Sequence, residues 1–155
     1  LDHQLTLFCN RYLPVDEGAI PTGELAEVTG TPMDFLTPHS LGERIGQTVN
    51  GNGGYDHCYV VEGASGNLRR AARIEHPASG RVLEISTTEP AIQLYTGNFL
   101  EGTPETGNAV KQGAFCLEAQ HFPDSPNRPE FPTTVLRPGE TYRQTTVHRF
   151  SVEGE

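Results

Sequence analysis

The chain has few of the features that mark several well-known protein classes. It carries only three cysteines, at Cys9, Cys58 and Cys116, and they are far apart with no Cys-x-x-Cys pair. This pattern argues against a disulfide framework and against a zinc knuckle. Each cysteine has apolar or aromatic neighbours, so we expect small buried residues rather than a catalytic thiol. Such cysteine usage favours a reducing compartment, and hence the cytoplasm.

Long apolar runs and glycosylation sequons are also missing. No apolar segment approaches the ~18 residues that a membrane span requires, and the sequence contains no Asn-x-Ser/Thr. We therefore expect a soluble protein with no membrane partner. Leu1 is not taken as a natural start, so the lack of a signal peptide says nothing about secretion.

The chain has fewer basic residues than acidic ones. Eleven Lys and Arg stand against 20 Asp and Glu, which gives a formal net charge of -9. A surface of this sign repels phosphate backbones and anionic lipid headgroups. Nucleic acid is therefore not an expected partner.

Helical periodicity is scarce, and most of the chain alternates between apolar and polar residues with a period of two. This alternation predicts strands at 4–9, 55–62, 68–76, 81–88, 91–96, 114–120 and 141–152. Turns are expected at 50–54, at 78–80 and at 137–140, where Pro and Gly have the order of a type II turn. One short helix is predicted from Thr31, with Pro32 at its first position and Pro38 ending it.

Length and composition fit one domain. With 155 residues, 17 Gly and 12 Pro, the chain is long enough to bury a core and rich in turns. The string of strands predicts an all-β fold, and an antiparallel sandwich is one arrangement that suits it. Strand count alone does not separate a sandwich from a jelly roll or an open barrel.

One carboxylate lies within an otherwise apolar predicted strand. Alternation turns Phe115, Leu117 and Ala119 to one face and turns Cys116, Glu118 and Gln120 to the other. A buried or half-buried Glu is rare unless it is paired or catalytic, and loss of water raises its pKa towards the range useful for proton transfer. The strand by itself equally permits a Glu on a solvated sheet face.

Six motifs together resemble the aldose 1-epimerase family, also called galactose mutarotases. They occur in order and nearly without gaps, and they extend over essentially the whole chain. The motifs are YLPVDE at 12–17, IPTGE at 20–24, TPMDF at 31–35, GYDH at 54–57, YTGNFL at 95–100 and GAFCLEAQHFPD at 113–124.

The resemblance implies a fold, a domain and an activity. Family members have a large twisted antiparallel β-sandwich, and they extend well upstream of Leu1. Residues 1–155 therefore resemble the C-terminal part of a single such domain, with the upstream part absent. The implied activity interconverts the α and β anomers of free hexoses such as galactose and glucose, with an aldose as the small-molecule partner and no cofactor.

Three site residues follow from the resemblance. Glu118 stands where the family has its general base, while Asp56 and Gln93 match residues that hold the sugar. Taken without the resemblance, Asp56 after a glycine-rich stretch is more typical of a turn. Gln93 shares a predicted strand face with Tyr95 and can both donate and accept hydrogen bonds. Ala91 departs from the glycine that the family usually has near this glutamine.

The family's acid is a histidine that lies just upstream of the segment matching 1–9, so it is absent here. His57 follows Asp56 and should therefore point to the other face of its strand. For all six histidines we expect structural or surface roles, and their local spacing predicts no metal site.

Two alternatives remain open at this stage. One is a non-catalytic carbohydrate-binding or regulatory sandwich, since the required histidine is missing. The other is a glycoside hydrolase that uses Asp56 and Glu118 as its carboxylate pair. We also expect residues 1–155 alone to be inactive, and their exposed strand edges to pair with the upstream half or with another copy.

Overall fold

Two antiparallel sheets make up the computed structural model, which describes residues 1–50 and 52–153. The ten strands are β1 (Gln4–Leu7), β2 (Arg11–Tyr12), β3 (Ala26–Glu27), β4 (His39–Ser40), β5 (Asp56–Val60), β6 (Arg69–His76), β7 (Arg81–Thr87), β8 (Ala91–Tyr95), β9 (Cys116–Gln120) and β10 (Thr146–Val152). The helical elements of these residues are three single 3-10 turns, at Ile45–Gln47, Pro104–Thr106 and Ser125–Asn127. None of these turns is long enough to cross a membrane. The predicted all-β fold with little helix is confirmed.

Each sheet has five strands. The first sheet has the order β10-β7-β6-β1-β4 and the second has the order β3-β2-β5-β8-β9. Strands β6 and β7 form a hairpin in which His76 pairs with Arg81, which places a turn at the predicted 78–80. The turn predicted at 137–140 is also present, since the N–H of Glu140 bonds to the carbonyl of Arg137 and Gly139 has a φ of 88°.

One apolar cluster connects the two sheets, and a second, smaller cluster lies on the other side of the second sheet. Leu5, Ile74 and Ile85 from the first sheet belong to the same buried cluster as Tyr59, Ile92 and Leu94 from the second. Because side chains alternate along a strand, each sheet turns one face to this cluster and the other face away from it. In the second sheet, the outward face of β5, β8 and β9 is where the predicted site residues lie.

Strand boundaries differ from the sequence prediction in two ways. The predicted strand at 141–152 begins only at Thr146, because 141–145 forms no continuous ladder with β7. Three two-residue strands, β2, β3 and β4, were not predicted. A two-residue strand is too short to show an alternation of apolar and polar residues, so only its pairing in the folded sheet identifies it.

The predicted helix at Thr31 is wrong. The hydroxyl of Thr31 bonds to the carbonyl of Val28 at 2.6 Å and accepts the N–H of Met33 at 3.1 Å, which forms a turn. Met33 and Phe35 are 4% and 1% exposed and enter the core two residues apart. This spacing suits extended chain, and core packing therefore outweighs the helix-start signal of the Thr-Pro pair.

The prediction for the cysteines is partly wrong. All three thiols are free; Cys9 and Cys58 are buried, whereas Cys116 is exposed. Cys116 lies on β9, which is at the edge of the second sheet, and it points away from the core. Its apolar neighbours in sequence occupy the opposite face of the same strand.

Candidate active site

Three neighbouring strands share the face of the second sheet that is turned away from the main core, and a smaller apolar cluster covers part of this face. Strand β8 pairs with β5 on one side and with β9 on the other; Asp56 lies opposite Tyr95, and Gln93 lies opposite Glu118. Alternation therefore directs these four side chains to the same side of the sheet. We call this surface the front face. It consists of positions 56, 58 and 60 of β5, 91, 93 and 95 of β8, and 116, 118 and 120 of β9.

The three predicted site residues come together on the front face. The side-chain amide of Gln93 donates a hydrogen bond to Oδ1 of Asp56 at 2.8 Å. Glu118 is the direct cross-strand neighbour of Gln93, and the Cβ atoms of such pairs lie about 4.5–5.5 Å apart. A carboxylate, an amide and a second carboxylate thus form a diagonal row across three strands that together span about 10 Å, since the residue directly opposite Gln93 on β5 is Cys58.

Gln93 has one polar atom ready for a ligand. Since its amide nitrogen is bound to a carboxylate, its orientation is fixed and Oε1 is the remaining acceptor. This oxygen is buried and has no hydrogen-bond partner among the described residues. A buried unpaired acceptor costs about 1–3 kcal/mol. Asp56 and Gln93 line a cavity of about 110 Å³ together with Leu13, Val15, Ala19, Pro21, Cys58 and Pro123.

The sequence left two environments open for Glu118, buried or solvated, and the structure shows the solvated one. Glu118 is exposed, although the alternation predicted for its strand is present. The reason is the position of β9 at the sheet edge, where it pairs only with β8. Neighbouring Cys116 is exposed as well, and partial burial together with the Glu118 charge raises the pKa of its thiol.

The start of β5 is fixed by buried polar groups. The hydroxyl of Thr96 accepts the N–H of Tyr55 at 3.0 Å, and the side-chain amide of Asn98 donates to the carbonyl of Tyr55 at 3.0 Å. Gly54 lies against both side chains: a Cβ at Gly54 would be 2.1 Å from Oδ1 of Asn98 and 2.7 Å from Oγ1 of Thr96. This close approach positions Asp56, so the glycine is required for packing.

His57 points to the other side of β5, as predicted. It is 1% exposed, its Nδ1 accepts the backbone N–H of Asp56 at 3.1 Å, and its Nε2 lies 3.2 Å from the carbonyl of Val49. These partners require a neutral ring with the proton on Nε2. Burial also lowers the pKa of His57. His57 is therefore a structural residue of the core side, and no front-face position is a histidine.

A second polar cluster was missed by the sequence analysis. Glu89, before β8, is only 4% exposed and contacts Nδ1 of His121, after β9, at 2.7 Å. The hydroxyl of Tyr142 donates to the same carboxylate at 2.5 Å. The cluster connects the ends of β8 and β9 to the segment before β10.

An aromatic pair beside Asp56 was also missed. Tyr95 on the front face stacks with Phe99, with ring centroids 6.3 Å apart and planes inclined by 24°. The N–H of Phe99 donates to the hydroxyl of Tyr95 at 3.2 Å. Phe99 is 60% exposed, so the pair offers an apolar surface next to the row of polar groups. The motif at 95–100 contains both residues, but their stacking depends on the turn after β8.

Several known proteins are similar to this chain in sequence. The family described as aldose 1-epimerase matches residues 1–149. Human galactose mutarotase is 49% identical over 154 residues, covering 97% of this chain and 44% of the relative. The aldose 1-epimerase of Escherichia coli K12 is 38% identical over 162 residues, covering 98% of this chain and 46% of the relative.

Solved structures show the same likeness. The crystal structure of galactose 1-epimerase from Lactobacillus acidophilus has a TM-score of 0.82 at 28% identity, covering 97% of this chain and 44% of that one. An aldose epimerase homologue from C. elegans has the same TM-score and identity and is covered to 46%. This chain therefore spans less than half the length of each of these relatives. By the match over residues 1–149 and these identities, the chain belongs to the aldose 1-epimerase family.

Proposed function

We propose that this chain carries the base-bearing half of an enzyme that interconverts the α and β anomers of free hexoses such as galactose and glucose. The observation that carries the proposal is the front-face row, in which Asp56, Gln93 and Glu118 lie side by side although they are far apart in the sequence. Family membership supports the reaction class. No cofactor has a part in this proposal.

Anomer exchange needs two proton transfers. A base removes the proton from the anomeric hydroxyl while an acid protonates the ring oxygen, the ring opens, and the roles reverse on closure. We assign the base to Glu118. Its carboxylate is accessible on the front face and can reach a sugar placed over the Asp56–Gln93 pair.

The remaining groups hold the sugar. Asp56 has an oxygen available to accept from ring hydroxyls, and Oε1 of Gln93 is the unpaired acceptor beside it. The Tyr95–Phe99 stack is suited to the apolar side of a pyranose ring. Together they fix the anomeric carbon relative to Glu118.

The family resemblance implies that the acid is a histidine upstream of this chain, and the front face itself has none, so we assign the acid to that upstream residue. In this proposal an upstream half, or another copy of the chain, covers the front face and removes water from Glu118. The proposed setting is the cytoplasm, which suits three free thiols.

A second candidate function is non-catalytic sugar binding. It is favoured by the exposure of Glu118 and by the lack of a front-face histidine. Asp56, Gln93 and the aromatic pair would then bind an aldose without opening its ring.

Polarimetry separates the two functions. Pure α-glucose or α-galactose is mixed with the polypeptide that carries this chain together with its upstream half, and optical rotation is followed. Faster approach to the equilibrium rotation with no new product supports the epimerase. Saturable binding with an unchanged rate supports the binding protein, and release of reducing sugar from a glycoside would indicate a hydrolase instead.

A further inference from the structure

The first sheet brings two histidines together at the ends of β1 and β6. Gln4 pairs with Glu75 across these strands, so the next residues outward, His3 and His76, face each other. Their ring centroids are 4.6 Å apart, and the ring planes are tilted by 33°. Because the two residues are distant in the sequence, local ligand spacing does not reveal the pair.

Asp2 adds a carboxylate to the pair. Its Oδ1 lies 3.5 Å from Nδ1 of His3, and its Oδ2 lies 3.7 Å from Nε2 of His76. Both contacts are too long for good hydrogen bonds. Ligand atoms around a tetrahedral ion with bonds of about 2.1 Å are about 3.4 Å apart. The observed spacings are within a few tenths of an ångström of that value, and one ligand atom from each of the three residues lies within 4.8 Å of the others.

Neighbouring groups hold both rings in place. Nδ1 of His76 lies 2.8 Å from the hydroxyl of Ser79, which leaves Nε2 as the metal-binding nitrogen, as in many metal sites. His3 packs edge-on against Phe115, with ring centroids 5.2 Å apart. The guanidinium of Arg81 donates to the same Ser79 hydroxyl at 2.9 Å. Its positive charge would repel a bound metal ion, whereas the carboxylate of Asp2 would attract one.

We propose that Asp2, His3 and His76 form a binding site for one divalent transition-metal ion, with water completing the coordination. Two imidazoles and one carboxylate suit Zn²⁺ or Co²⁺ better than Mg²⁺ or Ca²⁺, which prefer oxygen ligands alone. The site is in the first sheet, apart from the front face of the second. Its bound ion joins the beginning of β1 to the end of β6, and metal binding therefore stabilises the fold.

The test is a titration of metal-free protein with Zn²⁺, followed by calorimetry and by thermal unfolding. The tested protein is made with added residues before Leu1, because the free amine of Leu1 lies 3.7 Å from Oδ1 of Asp2 and is itself a possible ligand. We expect one equivalent of Zn²⁺ per chain, a rise in Tm with Zn²⁺ concentration, and no rise with Mg²⁺. Loss of binding on extension would overturn the site.

Variants assign the ligands. His76→Gln and His3→Gln should each weaken Zn²⁺ binding at least tenfold, and Asp2→Asn, at an exposed position, should weaken it without unfolding the protein. His148→Gln is the matched control, since His148 is exposed on β10, and it should bind as the unaltered chain does. Equal binding by His76→Gln and His148→Gln, with circular dichroism showing both folded, would disprove the proposal.

Discussion

At the scale of single residues, the role of Glu118 distinguishes the two candidate functions, catalysis and non-catalytic sugar binding. Within the proposed row, the Glu118 carboxylate has no hydrogen bond to another side chain, whereas the Asp56 carboxylate accepts one from Gln93. A base must be free to take a proton, and a binding group gains from being held. The two carboxylates are therefore suited to different roles, and substitutions should separate them.

Glu118→Gln should reduce the rate of anomer exchange by about 10²–10⁴-fold, because the amide cannot accept the proton. Sugar affinity, measured by calorimetry, should be almost unchanged, since shape and one acceptor oxygen are kept. The matched control is Glu27→Gln, on β3 at the opposite edge of the same sheet. Turnover of Glu118→Gln within a few-fold of the control would remove Glu118 from the mechanism.

Asp56→Ala should weaken sugar binding and slow turnover together. A lost hydrogen bond to a charged group is worth about 1.5–3 kcal/mol. Because Gln93 is bound to Asp56 at 2.8 Å, Asp56→Ala and Gln93→Ala should be non-additive in a double-mutant cycle of binding. Additive losses would show that the two side chains act independently, and unchanged affinity would make Asp56 a turn residue only.

His57 should make stability depend on pH. Burial lowers its pKa below the usual value near 6.5, so the unfolded chain takes up a proton before the folded one does. The free energy of unfolding contributed by neutral His57 is fully present above about pH 6.5 and is lost as the pH falls towards the folded-state pKa. The free energy of unfolding is measured in urea at pH 7 and at pH 5. Between these two pH values it should fall less for His57→Gln than for the unaltered chain. An equal fall in both would contradict this prediction.

At the scale of elements, the site depends on how β5 begins. The bonds from Thr96 and Asn98 to Tyr55 place the first residue of that strand, and Gly54 makes room for them. Asp56 is thus positioned by buried groups that contact no sugar. A substitution in this turn should therefore displace Asp56 on the front face.

Gly54→Ala should destabilise the chain by roughly 1–3 kcal/mol, the usual cost of overpacking. The new Cβ would lie 2.1 Å from Oδ1 of Asn98, so the turn or the amide must move, and sugar affinity should fall as Asp56 shifts. Gly46→Ala is the control, because a Cβ at Gly46 meets nothing within 4 Å. Equal midpoints in denaturant unfolding for the two variants would show that Gly54 is not a packing position.

Strand alternation accounts for what the sequence could predict about these elements. It predicted the two faces of the Glu118 strand and the core-side position of His57, while the family resemblance supplied Asp56 and Gln93. Alternation could not decide whether Glu118 is exposed, and the expected burial of Cys116 was wrong, because the edge position of β9 is a property of strand order. The contacts of Glu89 with His121 and Tyr142, and of His3 with His76, arise from long-range pairing that a single sequence does not encode in any local period.

At the scale of the whole molecule, residues 1–155 taken alone should show no mutarotation above buffer catalysis. Glu118 lacks an acid on the front face. Activity should return when an upstream half is supplied on the same polypeptide or as a separate chain. Polarimetry on a monodisperse sample is the measurement, and full activity of the isolated chain would show that one of its own residues is the acid.

Self-association provides a second measurement on the same sample. Val147, Phe150 and Val152 on the edge strand β10 are 43%, 76% and 43% exposed, and exposed apolar edges favour pairing with another chain. Light scattering should show assemblies larger than a monomer, and fewer of them with the upstream half present. A strictly monomeric chain at micromolar concentration would contradict this expectation.

The charge of the front face also has a consequence for substrate choice. Its nine positions include the carboxylates of Asp56 and Glu118 and no Lys or Arg. A phosphorylated or oxidised sugar would bring further negative charge next to both carboxylates, with no cation among these positions to compensate, and repulsion would oppose its binding. A neutral hexose carries no such penalty. In the proposed function, these two carboxylates should therefore favour uncharged sugars over sugar phosphates and sugar acids.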